Sequence, residues 1–165
     1  MFQLKSISKE SIPEALQKAE RYRLLNEPRL TESICHDILN IEPDNHPAIR
    51  TMLLAITDQF GRNTTGDISK ARYLLSLMNN EYDRHYYSGI ISERQGIANL
   101  NKGLMGGHFS VYEWLTEAME HYEKAEAVRP AGNDDAILRW NTCARLIMDH
   151  HLQPMNDQYI EPALE

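Results

Sequence analysis

Ala118-Met119-Glu120-His121-Tyr122-Glu123-Lys124-Ala125-Glu126-Ala127-Val128-Arg129-Pro130 reads as an amphipathic helix that stops at a proline. Ala118, Tyr122 and Ala125 follow one another at steps of four and three, which places them on one helix face. Small residues on a shared face let a neighbouring helix come close. An earlier stretch has the same shape, with Thr31, Cys35 and Ile38 ahead of Pro43. Two such units in one chain predict an array of helix hairpins, and such arrays bind other molecules more often than they transform them.

Helix punctuation recurs on both sides of these units, and strand signals are poor. Ser11-Ile12-Pro13-Glu14 has capping-box spacing with a proline tolerated in the first turn, so helix one is expected from about residue 12 to Leu25. Asn26-Glu27-Pro28 breaks the chain, and helix two carries Leu30, Ile34, Ile38 and Leu39 to about Ile41. Pro47 opens helix three, with Ile49, Met52, Leu53 and Ile56 inward. Gly61–Gly66 is a turn, after which Asp67 is expected to cap a helix burying Ile68, Ala71, Leu74, Leu75 and Met78. Helix five spans about Glu81 to Lys102. Ser110-Val111-Tyr112-Glu113 is a second capping-box match and is expected to open helix six. Asn133 is placed as the cap of helix seven, whose apolar face is Ala136, Ile137, Trp140, Ala144 and Ile147. Seven helices joined by short connections predict an all-α fold of antiparallel neighbours.

The chain has 165 residues, enough for one domain with a real core. No apolar run approaches the roughly 20 residues that span a bilayer. Met1-Phe2-Gln3-Leu4-Lys5 does not begin the apolar region of a secretory signal. Cys35 and Cys143 lie far apart inside predicted helices, which fits two buried thiols in a reducing cytoplasm. The net charge of −7 is uneven: residues 104–165 hold four Lys/Arg against eleven Asp/Glu. An acidic third with no basic stripe argues against nucleic acid as a partner.

The hairpin pattern resembles the tetratricopeptide repeat, a helix-turn-helix unit of about 34 residues with small and aromatic residues at set positions and a closing proline. Ala19 and Tyr22 fit the first helix of one unit, and Thr31, Cys35, Ile38 and Pro43 fit its second. Ala118, Tyr122, Ala125 and Pro130 match the second helix of the last unit, with Tyr86, Gly89 and Ile90 suggesting the helix before it. Ala71, Leu75 and Met78 resemble a middle unit without its proline. Positions 31, 71 and 118 lie 40 and 47 residues apart, so insertions are expected at Gly61–Gly66 and Gly103–Phe109. The resemblance implies one domain of about three imperfect repeats, at about 13–45, 46–80 and 81–132, a closing helix at 133–150 and a tail at 151–165.

It further implies a concave groove, lined by the first helix of each pair, that holds a peptide or partner protein. The groove-facing candidates carried over by position are Glu20, Arg23, Arg50, Tyr86, Arg94, Asn141 and Arg145. Leu16 and Glu20 stand where chaperone-binding members have their first carboxylate-clamp pair, which speaks against that ligand. Arginines in the groove would suit an acidic segment, because guanidinium groups pair bidentately with carboxylates. On this reading the chain is a cytoplasmic adaptor without chemistry, metal or cofactor.

Other features are weighed beside it. Gly89 and Gly96 share a face of helix five, and a mid-helix glycine is about 1 kcal/mol less favourable than alanine. Close approach of a neighbouring helix is the expected compensation. Gly103–Phe109 lacks the lysine of a phosphate loop and is expected to be a loop that presents Met105 and Phe109 to a partner. The seven histidines show no metal-ligand spacing. A rival reading, a small helical metal-binding protein or metalloenzyme, would assemble His108, His121, Asp149 and His150 in space. A third makes the chain a structural subunit whose acidic helix six packs in a homo-oligomer.

Overall fold

The computed structural model describes residues 1–62, 68–103 and 107–155. After a single 3-10 turn at Lys9–Ser11 come α1 (Ile12–Leu24), α2 (Pro28–Ile41), α3 (His46–Asp58), α4 (Ile68–Ser76), α5 (Glu81–Lys102), α6 (Gly107–Ala127) and α7 (Asp135–Asp149). No strand occurs among the described residues. The fold is all-α, and each helix packs on its neighbours in the chain, while α1 also meets α3 and α3 meets α5.

Local chemistry sets the hairpins. Asn26 takes the left-handed conformation at φ 62°, and the Glu27 amide donates to the Tyr22 carbonyl at 2.9 Å, closing α1 in a Schellman turn. Pro28 then opens α2, where its missing N–H is no loss. Asn45 caps α3 by accepting from the Ala48 amide at 3.0 Å, and Asn80 caps α5 from the Asp83 amide at 3.0 Å. Gly103, at φ 60°, ends α5. At the end of α7, His151 takes φ 51° and the Leu152 amide donates to the Ile147 carbonyl at 3.0 Å, which tucks Leu152 into the core.

Three expected caps differ. The Ser11 hydroxyl donates back to the Ser8 carbonyl at 2.8 Å instead of capping α1. The helix expected from Ser110 already runs at Gly107, so Ser110 lies inside α6 and its hydroxyl accepts from Asn99 Nδ2 at 2.9 Å. Asn133 accepts from the Asp135 amide at 3.0 Å, one position ahead of the N-cap Asp134. The cap expected at Asp67 lies outside the described residues.

Three clusters form a continuous core along the array. Ile12, Ile38 and Ala48 join α1, α2 and α3. Ile49, Leu53, Ile56, Leu74, Ile90 and Ile91 fill the middle. Val111, Leu115, Ala118, Tyr122, Ala125 and Cys143 close the C-terminal end, where Ala118, Tyr122 and Ala125 are wholly buried. The glycines explain the last cluster. A Cβ on Gly89 would lie 2.4 Å from Tyr122 Cε1, and one on Gly96 would lie 3.1 Å from Trp114 Cβ. The α5 backbone therefore rests directly on α6, and the apolar area this closure removes from water offsets the helix propensity both glycines forgo.

Candidate functional site

α1 meets α3 and α3 meets α5, and charged side chains join these helices and link α5 to α7. Asp58 on α3 lies between Arg23 of α1, with Nε 2.8 Å from Oδ2, and Arg94 of α5, with Nη1 2.8 Å from Oδ1. The Arg23 Nε contact is one of charge, since it lacks hydrogen-bond direction and that N–H has no hydrogen-bond acceptor among the described residues. Arg94 also donates to the Leu54 carbonyl at 2.8 Å and to the Thr57 hydroxyl. Its side chain is only 14% exposed, and burial lowers its pKa against the opposing pull of Asp58. Arg50 of α3 donates to Asp83 of α5 at 2.8 Å. Farther along, Glu93 of α5 accepts from Arg139 of α7 at 2.9 Å and from the Tyr122 hydroxyl of α6.

Glu93 is 1% exposed, so this carboxylate is buried with two donors satisfying it. The Tyr122 pKa is raised, first by burial and then by the Glu93 charge, which keeps the phenol protonated as the donor. The Arg139 pKa is raised too: burial opposes it, and the neighbouring Glu93 carboxylate outweighs that. A cluster of four tyrosines adjoins the pair through Tyr122. Tyr86 stacks on Tyr82 at 5.6 Å, meets Tyr87 edge-on at 5.2 Å and touches Tyr122 at 5.9 Å between ring centres.

The sequence candidates divide accordingly. Arg23, Arg50 and Arg94 each pair with a carboxylate on another odd-numbered helix of the same chain. They do not form an uncompensated row awaiting an acidic ligand. Tyr86 is half-buried among rings. Glu20, Arg23, Leu24, Pro47, Arg50 and Tyr87 line a depression of about 350 Å³ between α1, α3 and α5, in which Glu20 and Leu24 are exposed. Asn141 is half-buried on α7 and Arg145 exposed. Phe109, expected on a loop, is half-buried in the first turns of α6, because the helix begins earlier than its capping box suggested. Met105 lies outside the described residues.

No family model, characterised protein or solved structure matches this chain.

The metal alternative meets a geometric obstacle. Among the described residues, no three His, Cys, Asp or Glu side chains come together as a metal site, and that set includes His108, His121, Asp149 and His150. His121 is half-buried with Nδ1 unpartnered among the described residues, and burial lowers its pKa. Both cysteines are buried and free, and burial pushes each thiol up to about 12. At neutral pH they are packed thiols and not nucleophiles. No described helix is long and apolar enough to cross a membrane.

The sequence reading missed Arg139 and its pairing with Glu93. A signal existed: Glu93 falls on the buried stripe of helix five with Ile90 and Gly89, and a carboxylate on a core stripe requires a partner.

Proposed function

We propose that this chain is a tetratricopeptide-like adaptor that binds a peptide or partner protein on the surface of its odd-numbered helices, with no chemistry of its own. One observation supports the reading: α1, α3, α5 and α7 are tied in succession by Arg23–Asp58–Arg94, Arg50–Asp83 and Glu93–Arg139. A rigid face assembled from several helices can be read by a long ligand at several points, and a face whose own charges are already paired needs no reorganisation on binding. The contacts left to a partner are the exposed ones: Glu20, Leu24, Arg145, and the outward edges of Arg50 and Asn141. The paired arginines act as the frame on which these are set.

Site-specific photocrosslinking tests this. A crosslinking side chain at Glu20 or Asn141 should give one discrete adduct from native extract, and the same group at Glu120, on the outer face of α6, should not. Adducts from Glu120 alone, or none from the odd-helix face, reject the proposal.

A further inference from the structure

A groove of about 590 Å³ opens on the opposite side of the array, between α2 and α4, with α3 as its floor. Leu39, Met52, Ile56, Tyr73, Leu74 and Leu77 make it apolar, and Tyr73 and Leu77 remain 65% and 38% exposed. Its rim includes Glu32 and His36 of α2. The same two residues line a second, smaller depression together with Leu4, Arg29 and Ser33. Groove and depression are therefore continuous along α2.

The arm that supplies Leu4, residues 1–8, has no secondary structure. Phe2 is 103% exposed and Leu4 90%, the values of side chains that touch almost nothing. Two large apolar groups held in water on an extended arm are an association signal. Ile7 shares a depression with Ile34 and Asp37 of α2, and Leu4 shares the next with Arg29, Ser33 and Asp37. Neither Phe2 nor Leu4 lines the apolar groove of its own chain, which reaches Leu39 and Leu77.

We propose that this groove receives the N-terminal arm of a second copy of this chain, with Phe2 and Leu4 seated between α2 and α4. Because each copy carries both arm and groove, a two-fold axis lets the exchange close reciprocally into a dimer. The area suffices for a weak one. A phenylalanine alone removes about 150–250 Å² from water, so Phe2, Leu4 and the groove wall they cover amount to roughly 600 Å² per arm. Two arms give roughly 1,200 Å², the lower edge of specific interfaces.

Sedimentation velocity over a micromolar concentration series provides the test. The wild-type chain should pass from monomer to dimer, and Phe2→Glu and Leu77→Glu should each raise the dissociation constant at least tenfold. Both positions are exposed, so the thermal midpoint of each variant should match wild type, which separates lost association from lost folding. In addition, Phe2→Cys mixed with Leu77→Cys under mild oxidation should give a heterodimeric disulfide that neither variant gives alone. A wild-type chain that stays monomeric, a dimer indifferent to Phe2→Glu, or an intrachain disulfide in the Phe2→Cys/Leu77→Cys double variant would each overturn the proposal.

Discussion

Gly89→Ala separates a glycine that is tolerated from one that is required. Within a helix the change is ordinarily favourable by about 1 kcal/mol. Here the new Cβ would stand 2.4 Å from Tyr122 Cε1, 2.7 Å from Cδ1 and 2.8 Å from Cζ. Carbon atoms rest at about 3.5–4.0 Å, so the ring would have to retreat by roughly 1 Å. It has little room to move: Tyr122 is 0% exposed, its hydroxyl is bonded to Glu93, and its ring also packs on Tyr86, 5.9 Å between centres. Overpacking of this kind costs about 1–3 kcal/mol, and a ring pinned on several sides belongs at the upper end. Set against the propensity gain, the net loss is about 2 kcal/mol. With a urea m-value near 2 kcal/mol/M, the denaturation midpoint followed by circular dichroism should fall by about 1 M at unchanged slope. Gly96→Ala is the internal comparison. Its nearest neighbours, Trp114 Cβ at 3.1 Å and Leu115 Cδ2 at 3.2 Å, need yield only a few tenths of an ångström. There, crowding and propensity should cancel to within about 0.5 kcal/mol. In a Tyr122→Leu background the penalty at Gly89 should largely disappear. A Gly89→Ala variant with a raised midpoint would refute the close approach of α5 and α6.

Asp58→Asn should lower stability by about 2 kcal/mol, since it leaves Arg23 and Arg94 facing each other without a carboxylate; the figure is below that of a fully buried pair because Asp58 is 26% exposed. Equal stability of Asp58→Asn and wild type in urea titrations would contradict the ladder. His121 has its pKa lowered by burial, so the unfolded chain takes up that proton first as the solution is acidified. Stability should therefore be complete above the unfolded value of 6.5 and decline below it, and His121→Leu should flatten that decline. At the alkaline end the sign reverses. Cys35 and Cys143 rise from 9.0 to about 12, and Tyr82 and Tyr87 from 10.0 to about 12, all chiefly through burial. The unfolded chain loses these protons first, so the midpoint should hold to about pH 9 and fall as pH rises toward 12. A midpoint level to pH 11 would contradict the burial of these groups.

What the sequence disclosed was whatever depends on near neighbours. The bounds of α5, the break at Asn26-Glu27-Pro28 and the packing glycines follow from propensity, φ preference and helical period, which act over a few residues. The start of α6 was misplaced for an instructive reason. Ser110 and Glu113 have capping-box spacing, but the Ser110 hydroxyl is engaged by Asn99 on another helix, so a local rule gave way to a tertiary contact. The candidate site suffered more. The repeat resemblance implied Arg23, Arg50 and Arg94 on a shared surface by position, yet it says nothing of what stands opposite. Their partners Asp58 and Asp83 lie 33 to 36 positions away in the chain or on a different helix altogether. Only Glu93, a carboxylate on a core stripe, advertised its need for a partner in the sequence itself.

The two faces of the array then differ in kind. On the odd-helix side, ion pairs join α1 to α3 and α3 to α5, whereas on the other side α2 and α4 flank an open groove. Paired charges suit that role better than apolar ones. They fix the distance and angle between helices through directed contacts while leaving the surface polar enough to stay wet. An apolar ladder in the same place would close the surface into core, and unpaired arginines would repel and spread it. The odd-helix face can thus be ordered without being filled, and the apolar surface left open between α2 and α4 is the part of the molecule most in need of cover.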